Sequence, residues 1–292
     1  MKFIIDIIKG IFMGVANIIP GVSGGTMAVS MGVYDKMINA ITNILKEFKK
    51  SFFTLLPLAI GMIGGIGLFS FIIPHCLTNY AFPTCMCFTG LIVGGIPQII
   101  ENAGKGLKKE KKKVNPVHIV AFLITLGVAV WMAVANGNDS GSTSLRTDFI
   151  GLLLLAVIGI VAAATMVIPG VSGSLVLMIL GYYAGIMNSN SGFISALKNF
   201  DWSALGHHIL ILAPFGIGCV LGIVLISKLI SWLLKKFESV TYCAILGLIV
   251  ASPFALLYNM EKDTFTVSTI LLGAGLFIGA TTFTYLFSKK TK

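Results

Sequence analysis

Charge is scarce in this chain. Of its 292 residues only 11% are charged, while 56% are hydrophobic. A soluble globular domain carries roughly 25% charged residues. So few cannot clothe a water-facing surface, which excludes a soluble enzyme or binding domain, and the mean hydropathy of +0.95 agrees. Histidines number 4, and arginine occurs only at Arg146. No histidine and carboxylate run has metal-ligand spacing, so neither a metal centre nor any other cofactor is expected. The cysteines are odd in number (Cys76, Cys85, Cys87, Cys219, Cys243) and form no disulfide framework. The one pairing their spacing leaves open joins Cys76 to Cys85 or Cys87. The net charge of +10 is not a nucleic-acid signature. Its densest run, Lys108 to Lys113, lies between apolar spans, where positive residues mark the cytoplasmic side. The first apolar stretch does not read as a cleavable signal, because Asp6 and Lys9 interrupt it and no small-residue cleavage site precedes Pro20.

What the chain has instead is long apolar runs, broken twice in the same way. Pro20-Gly21-Val22-Ser23-Gly24-Gly25 returns as Pro169-Gly170-Val171-Ser172-Gly173-Ser174. Proline ends the incoming helix, since the residue before it avoids the α region. Glycine and serine turn the chain and open a new helix, whose first backbone N–H groups lack partners and suit a phosphate or another anion. Flanking the breaks are apolar stretches at 3–19 and 22–45, then at 149–168 and 170–187. Further stretches lie at 52–73, 84–100, 117–135, 207–233, 240–258 and 266–287. Leu56-Pro57 with Gly61 and Gly65 recurs as Ala213-Pro214 with Gly218 and Gly222, and Gly90 to Val93 recurs as Gly247 to Val250. These glycines read as helix-packing positions.

Lysines assign the loops near 46–51, 101–116 and 234–239, and the C-terminus, to the inside. Loops at 74–83, 136–147, 188–206 and 259–265, poor in positive charge, read as outside. One scheme satisfies all of them: an all-α polytopic membrane protein of two inverted-topology repeats, each a re-entrant helical hairpin followed by three transmembrane helices. The first repeat covers 1–136, an outer linker 137–148, and the second repeat 149–292, with both termini cytoplasmic. Re-entrance is favoured because residues 3–19 would rise only ~25 Å, short of a ~30 Å hydrocarbon core. Such inverted repeats are typical of secondary transporters.

The residue pattern around the breaks resembles the opening of the bacterial PopT-like polyprenyl-phosphate transporters. The resemblance rests on Lys9-Gly10, Met13-Gly14, Ala16-Asn17, Pro20 to Thr26 and Gly32-Val33-Tyr34-Asp35, and in the second half on Pro169 to Ser174 followed by Gly181-Tyr182-Tyr183. It implies a carrier, not an enzyme, that returns undecaprenyl phosphate from the outer to the inner leaflet of the cytoplasmic membrane. The family often has arginine at the position of Lys9. Lysine keeps the charge but loses the two-pronged grip.

For such a lipid the tail stays in the bilayer and only the phosphate needs a polar path. Ser23, Gly24, Gly25 and Thr26 are expected to donate from one tip, and Ser172, Gly173 and Ser174 from the other. Pro20, Gly21, Pro169 and Gly170 shape the tips. Asn17 either orients its tip or touches the ligand. Lys9 either snorkels to the interface or reaches phosphate, and Arg146 either greets the outer head group or pairs with Asp148. A coupling proton would ride on Asp35, Glu101, His118 or Asp148. Two rivals stand beside this reading: a small-anion carrier or channel, and an intramembrane serine hydrolase using the Gly-x-Ser-Gly at Ser23. The hydrolase needs a histidine base, and His75, His118, His207 and His208 all sit at span ends or in loops.

Overall fold

A computed structural model describes residues 2–19, 22–110, 113–135, 145–260 and 265–290. Within them every regular element is an α-helix. The first half holds α1 (Lys2–Ala16), α2 (Gly24–Ser30), α3 (Tyr34–Thr42), α4 (Phe48–Phe69), α5 (Ile72–Asn79), α6 (Ala81–Val93), α7 (Ile96–Lys109) and α8 (Pro116–Ala135). The second holds α9 (Phe149–Val167), α10 (Gly173–Ile179), α11 (Tyr183–Lys198), α12 (Trp202–Lys236), α13 (Glu238–Tyr258) and α14 (Val267–Lys290). Among the described residues seven helical stretches are long and apolar enough to cross a membrane: α4, α6 running into α7, α8, α9, α12, α13 and α14. Large apolar side chains such as Ile63, Ile124, Leu271 and Ile278 stand exposed on them, as lipid-facing surface requires. The protein is therefore an all-α multi-pass membrane protein. All five cysteines are unbridged.

Several boundaries differ from the sequence reading. The stretch 22–45 is not one helix, because Gly32 adopts φ +68° and separates α2 from α3. The stretch 170–187 breaks likewise at Gly181, with φ +77°. Only glycine takes such angles without strain, and both glycines sit inside apolar runs where hydropathy gives no warning. The expected outer loop 74–83 is largely α5, and the expected inner loop 101–116 begins inside α7. Helix α11 continues through the Asn-Ser-rich segment that reads as loop. Its buried residues Ile186, Ser189 and Ala196 share one helical face, so packing overrides the turn-like composition.

The chain packs as two compact units. One comprises Met1–Val134, Ile168–Val171 and Ser227–Lys292, the other Ala135–Val167 and Ser172–Ile226. In the first unit α1 lies against α4 through glycines on both helices. A Cβ on Gly61 would stand 2.0 Å from the Ile7 carbonyl oxygen, one on Gly65 2.4 Å from that of Ile11, and one on Gly10 2.3 Å from that of Leu58. Within the second unit the same contacts recur between α9 and α12. A Cβ on Gly218 would be 2.0 Å from Ala156 O, on Gly222 2.4 Å from Ile160 O, and on Gly159 2.2 Å from Phe215 O. Each pair keeps a constant sequence offset from its counterpart. Helix α13 is pinned at its start: Glu110 accepts from both the Ser239 N–H (3.1 Å) and the Ser239 hydroxyl (3.0 Å), while Lys109 pairs with Glu238 at 2.8 Å.

Candidate functional site

The first motif is built from the end of α1 and the start of α2. Pro20 and Gly21 lie outside the described residues. Ser23 has the extended backbone of an N-cap (φ −113°, ψ 152°), and its Oγ accepts the Thr26 N–H at 3.2 Å. The Ser23 and Thr26 hydroxyls also meet at 3.0 Å. Asn17 reaches across the break, its Oδ1 accepting the Gly24 N–H at 2.8 Å. A side chain on Gly24 would crowd that amide, at 3.0 Å. Ser23, Gly24, Gly25 and Thr26 are all buried. Two donors expected for phosphate, Gly24 N–H and Thr26 N–H, are thus held by the protein's own side chains, Asn17 and Ser23. Ser23 Oγ engages Thr26 rather than an imidazole, the arrangement of a cap and not of an activated nucleophile. Asn17→Ala leaves the Gly24 N–H uncapped and should lower stability by about 1 kcal/mol, read as a drop in the thermal midpoint in detergent.

The second motif enters the first unit through Ile168–Val171. Pro169 is fully buried. Gly170 takes φ +79°, and a Cβ there would lie 2.6 Å from the Leu248 carbonyl oxygen. This turn aims the Gly170 N–H at Thr26, whose Oγ1 accepts it at 2.8 Å. A hydroxyl two residues past the first Pro-Gly-x-Ser-Gly copy therefore holds the backbone of the second, across 144 residues of sequence. Ser172, Gly173 and Ser174 belong to the other unit. There Ser172 is extended at the start of α10 but makes no side-chain cap. Its hydroxyl pairs instead with that of Ser174, at 2.8 Å. A side chain on Gly173 would run into Met166 and the Ala162 carbonyl oxygen.

The supporting charges are not where a snorkelling picture puts them. Lys9 is buried, only 4% exposed, with its ammonium 5.8 Å from the centre of the Phe287 ring, within cation–π range. Asp6, one turn earlier, accepts Lys36 Nζ at 2.5 Å. Arg146 forks onto Asp148 through Nε (3.1 Å) and an Nη (2.8 Å). Sequence reasoning missed a polar group around the Gly32 break, where Tyr242 donates to Asp35. Asp35 was already a candidate for a coupling proton; its partner Tyr242, 207 residues away, had no signal in the sequence. Beside the first tip lies an apolar hollow of about 300 Å³, lined by Ile18, Ile19, Leu77, Ala81, Cys85 and Leu256 among others.

Residues 13–270 match the family described as undecaprenyl phosphate translocase-like. The chain belongs to that family. It is similar to a polyprenyl-phosphate transporter of Staphylococcus aureus (strain NCTC 8325 / PS 47), with 28% identity over 283 residues, 95% of this chain and 95% of that protein. It is also similar to a polyprenyl-phosphate transporter of Vibrio cholerae serotype O1 (strain ATCC 39315 / El Tor Inaba N16961), with 27% identity over 268 residues, 86% of this chain and 77% of that one. Both relatives carry the names of transporters, not of enzymes. No solved structure matches the chain.

Proposed function

We propose that the protein carries undecaprenyl phosphate, or a close polyprenyl phosphate, from the outer to the inner leaflet of the bacterial cytoplasmic membrane. Both termini then lie in the cytoplasm. The observation that carries this reading is the Thr26 to Gly170 hydrogen bond, which ties the residue following the first proline-glycine-serine segment to the second copy of that segment. Family membership and the names of the relatives supply the substrate class. In this reading the two halves are inverted repeats with re-entrant tips, and the recurrence of the α1–α4 contacts between α9 and α12 supports a duplication.

The anionic head is the part that needs a polar path. Helix starts bearing glycine, serine and threonine offer backbone and hydroxyl donors without a fixed positive charge, so they bind a phosphate without trapping it. Ser23, Gly24, Gly25 and Thr26, with Ser172, Gly173 and Ser174, are the residues proposed to handle it. Asn17 and Ser23 hold the first tip in shape, so the head exchanges with side chains that already satisfy those donors. The apolar hollow beside Ile18 and Ile19 favours a lipid over a small free anion, because it offers a chain attached to the head a surface that phosphate alone does not need.

The test is a measurement of surface-exposed undecaprenyl phosphate in cells depleted of the protein and of any redundant carrier. Surface levels should rise several-fold and fall again on complementation with the wild-type chain. Unchanged levels would count against the lipid reading. Transport of inorganic phosphate or chloride by the reconstituted protein would favour the small-anion rival.

A further inference from the structure

The Gly32 break of the first unit borders a small hollow that the phosphate path leaves unused. It measures about 30 Å³ and is lined by Val29, Gly32, Asp35, Gln98, Asn102 and Tyr242 among others. That is room for one water-sized particle and little more. The Tyr242 hydroxyl donates to Asp35 Oδ2, and Asn102 lines the hollow beside them. Gln98 Oε1 is buried and has no hydrogen-bond partner. Gly32 makes the arrangement possible, since its φ is +68° and a Cβ there would stand 2.4 Å from the Gln98 amide. The Asp35, Gln98 and Tyr242 side chains thus border one small space.

Charge decides what suits that space. Lys36, next in sequence to Asp35, gives its ammonium to Asp6. Glu238 acts on Asp35 from α13 as a like charge, and Lys109 takes Glu238. Asp35 itself lines the hollow and is exposed. We propose that this hollow binds a sodium ion, held by the Asp35 carboxylate, Gln98 Oε1 and the Tyr242 hydroxyl. Its coupling to movement of the phosphate head rests on the transport reading above. One carboxylate balances one positive charge, and an all-oxygen donor set suits a hard cation. A proton on Asp35 fills no volume and leaves the hollow open. Interrupted helices whose freed backbone lines a cavity are also where secondary transporters hold their coupling ions. A co-moving cation offsets the cost of driving an anion against an inside-negative potential.

The test uses the full chain purified in detergent, melted in rising NaCl against choline chloride at constant ionic strength, with binding of radioactive sodium measured in parallel. Sodium should raise the thermal midpoint saturably where choline and potassium do not. Asp35→Asn and Gln98→Leu should each weaken sodium binding at least about tenfold, while Ile245→Val, on the apolar wall, leaves it intact. No saturable sodium effect on the wild-type chain overturns the site without any variant being needed. So does unaltered binding in both Asp35→Asn and Gln98→Leu. In proteoliposomes an imposed sodium gradient should speed polyprenyl-phosphate movement. Movement driven by a pH gradient and indifferent to sodium overturns the coupling and leaves the transport reading standing. Sodium binding in a protein that moves no polyprenyl phosphate sustains the site and sinks the transport reading instead.

Discussion

Gly61→Val should leave little folded protein, while Gly64→Val, one turn along the same helix, should be tolerated. The difference comes from what each added Cβ would meet. At Gly61 it would lie 2.0 Å from the Ile7 carbonyl oxygen and 2.9 Å from Gly10 Cα, both backbone atoms of α1, whereas at Gly64 nothing lies within 4 Å. Backbone cannot rotate away as a side chain can, so α1 must lift off α4. Overpacking of a tight interior costs about 1–3 kcal/mol, occasionally more, and here the whole length of α1 depends on the contact. A lifted α1 also carries Lys9 and Asp6 out of their buried positions and takes Asn17 away from Gly24. The same contrast is expected in the second unit, between Gly218→Val (2.0 Å from Ala156 O) and Gly216→Val (nothing within 4 Å). Thermal midpoints and monodispersity in detergent measure it. If Gly61→Val and Gly64→Val melt alike, α1 and α4 do not meet as described.

Thr26→Val should abolish most transport while leaving the fold in place. The two side chains have nearly the same shape, so no cavity forms. What is lost is the hydroxyl that accepts the Gly170 N–H at 2.8 Å and meets Ser23 Oγ at 3.0 Å. Thr26 is fully buried, so water does not replace it. Leaving the backbone donor unpaired costs about 1–3 kcal/mol, a fall in thermal midpoint that the remaining packing survives. The tie between the two motif copies goes with it, and on the reading proposed here that tie holds the phosphate path together. Thr26→Ser restores the oxygen and should recover activity. The readouts are polyprenyl-phosphate movement in proteoliposomes and the melt of the same preparation. Wild-type transport by Thr26→Val would separate the Thr26 to Gly170 contact from function altogether.

Much of this was legible in the residues. The Gly61 and Gly65 set and its counterpart, Gly218 and Gly222, read correctly as helix-packing positions, because glycine has few other uses inside a long apolar run. Composition left Asn17 between two roles, and the structure adds its bond to the Gly24 N–H. Less legible was the asymmetry between the motif copies. Thr26 has Leu175 as its counterpart at the same offset, and only the threonine carries a hydroxyl able to reach the other copy. Read by itself each motif suggests the same open helix start, yet Ser23 caps its helix and Ser172 does not. The breaks at Gly32 and Gly181 escaped notice because hydropathy averages over the very residues whose backbone angles change sign.

Composition alone determined that this chain lives in a membrane, and repetition of one proline-glycine-serine segment determined two of the places where its helices are interrupted. Both are local properties, written in the solvation of each side chain and in the allowed angles of each backbone. Which interrupted ends come together was decided only in three dimensions. The bond from Gly170 to Thr26 spans 144 positions, and that from Tyr242 to Asp35 spans 207. No helical period reaches so far, and such pairs exist only in the packed tertiary structure.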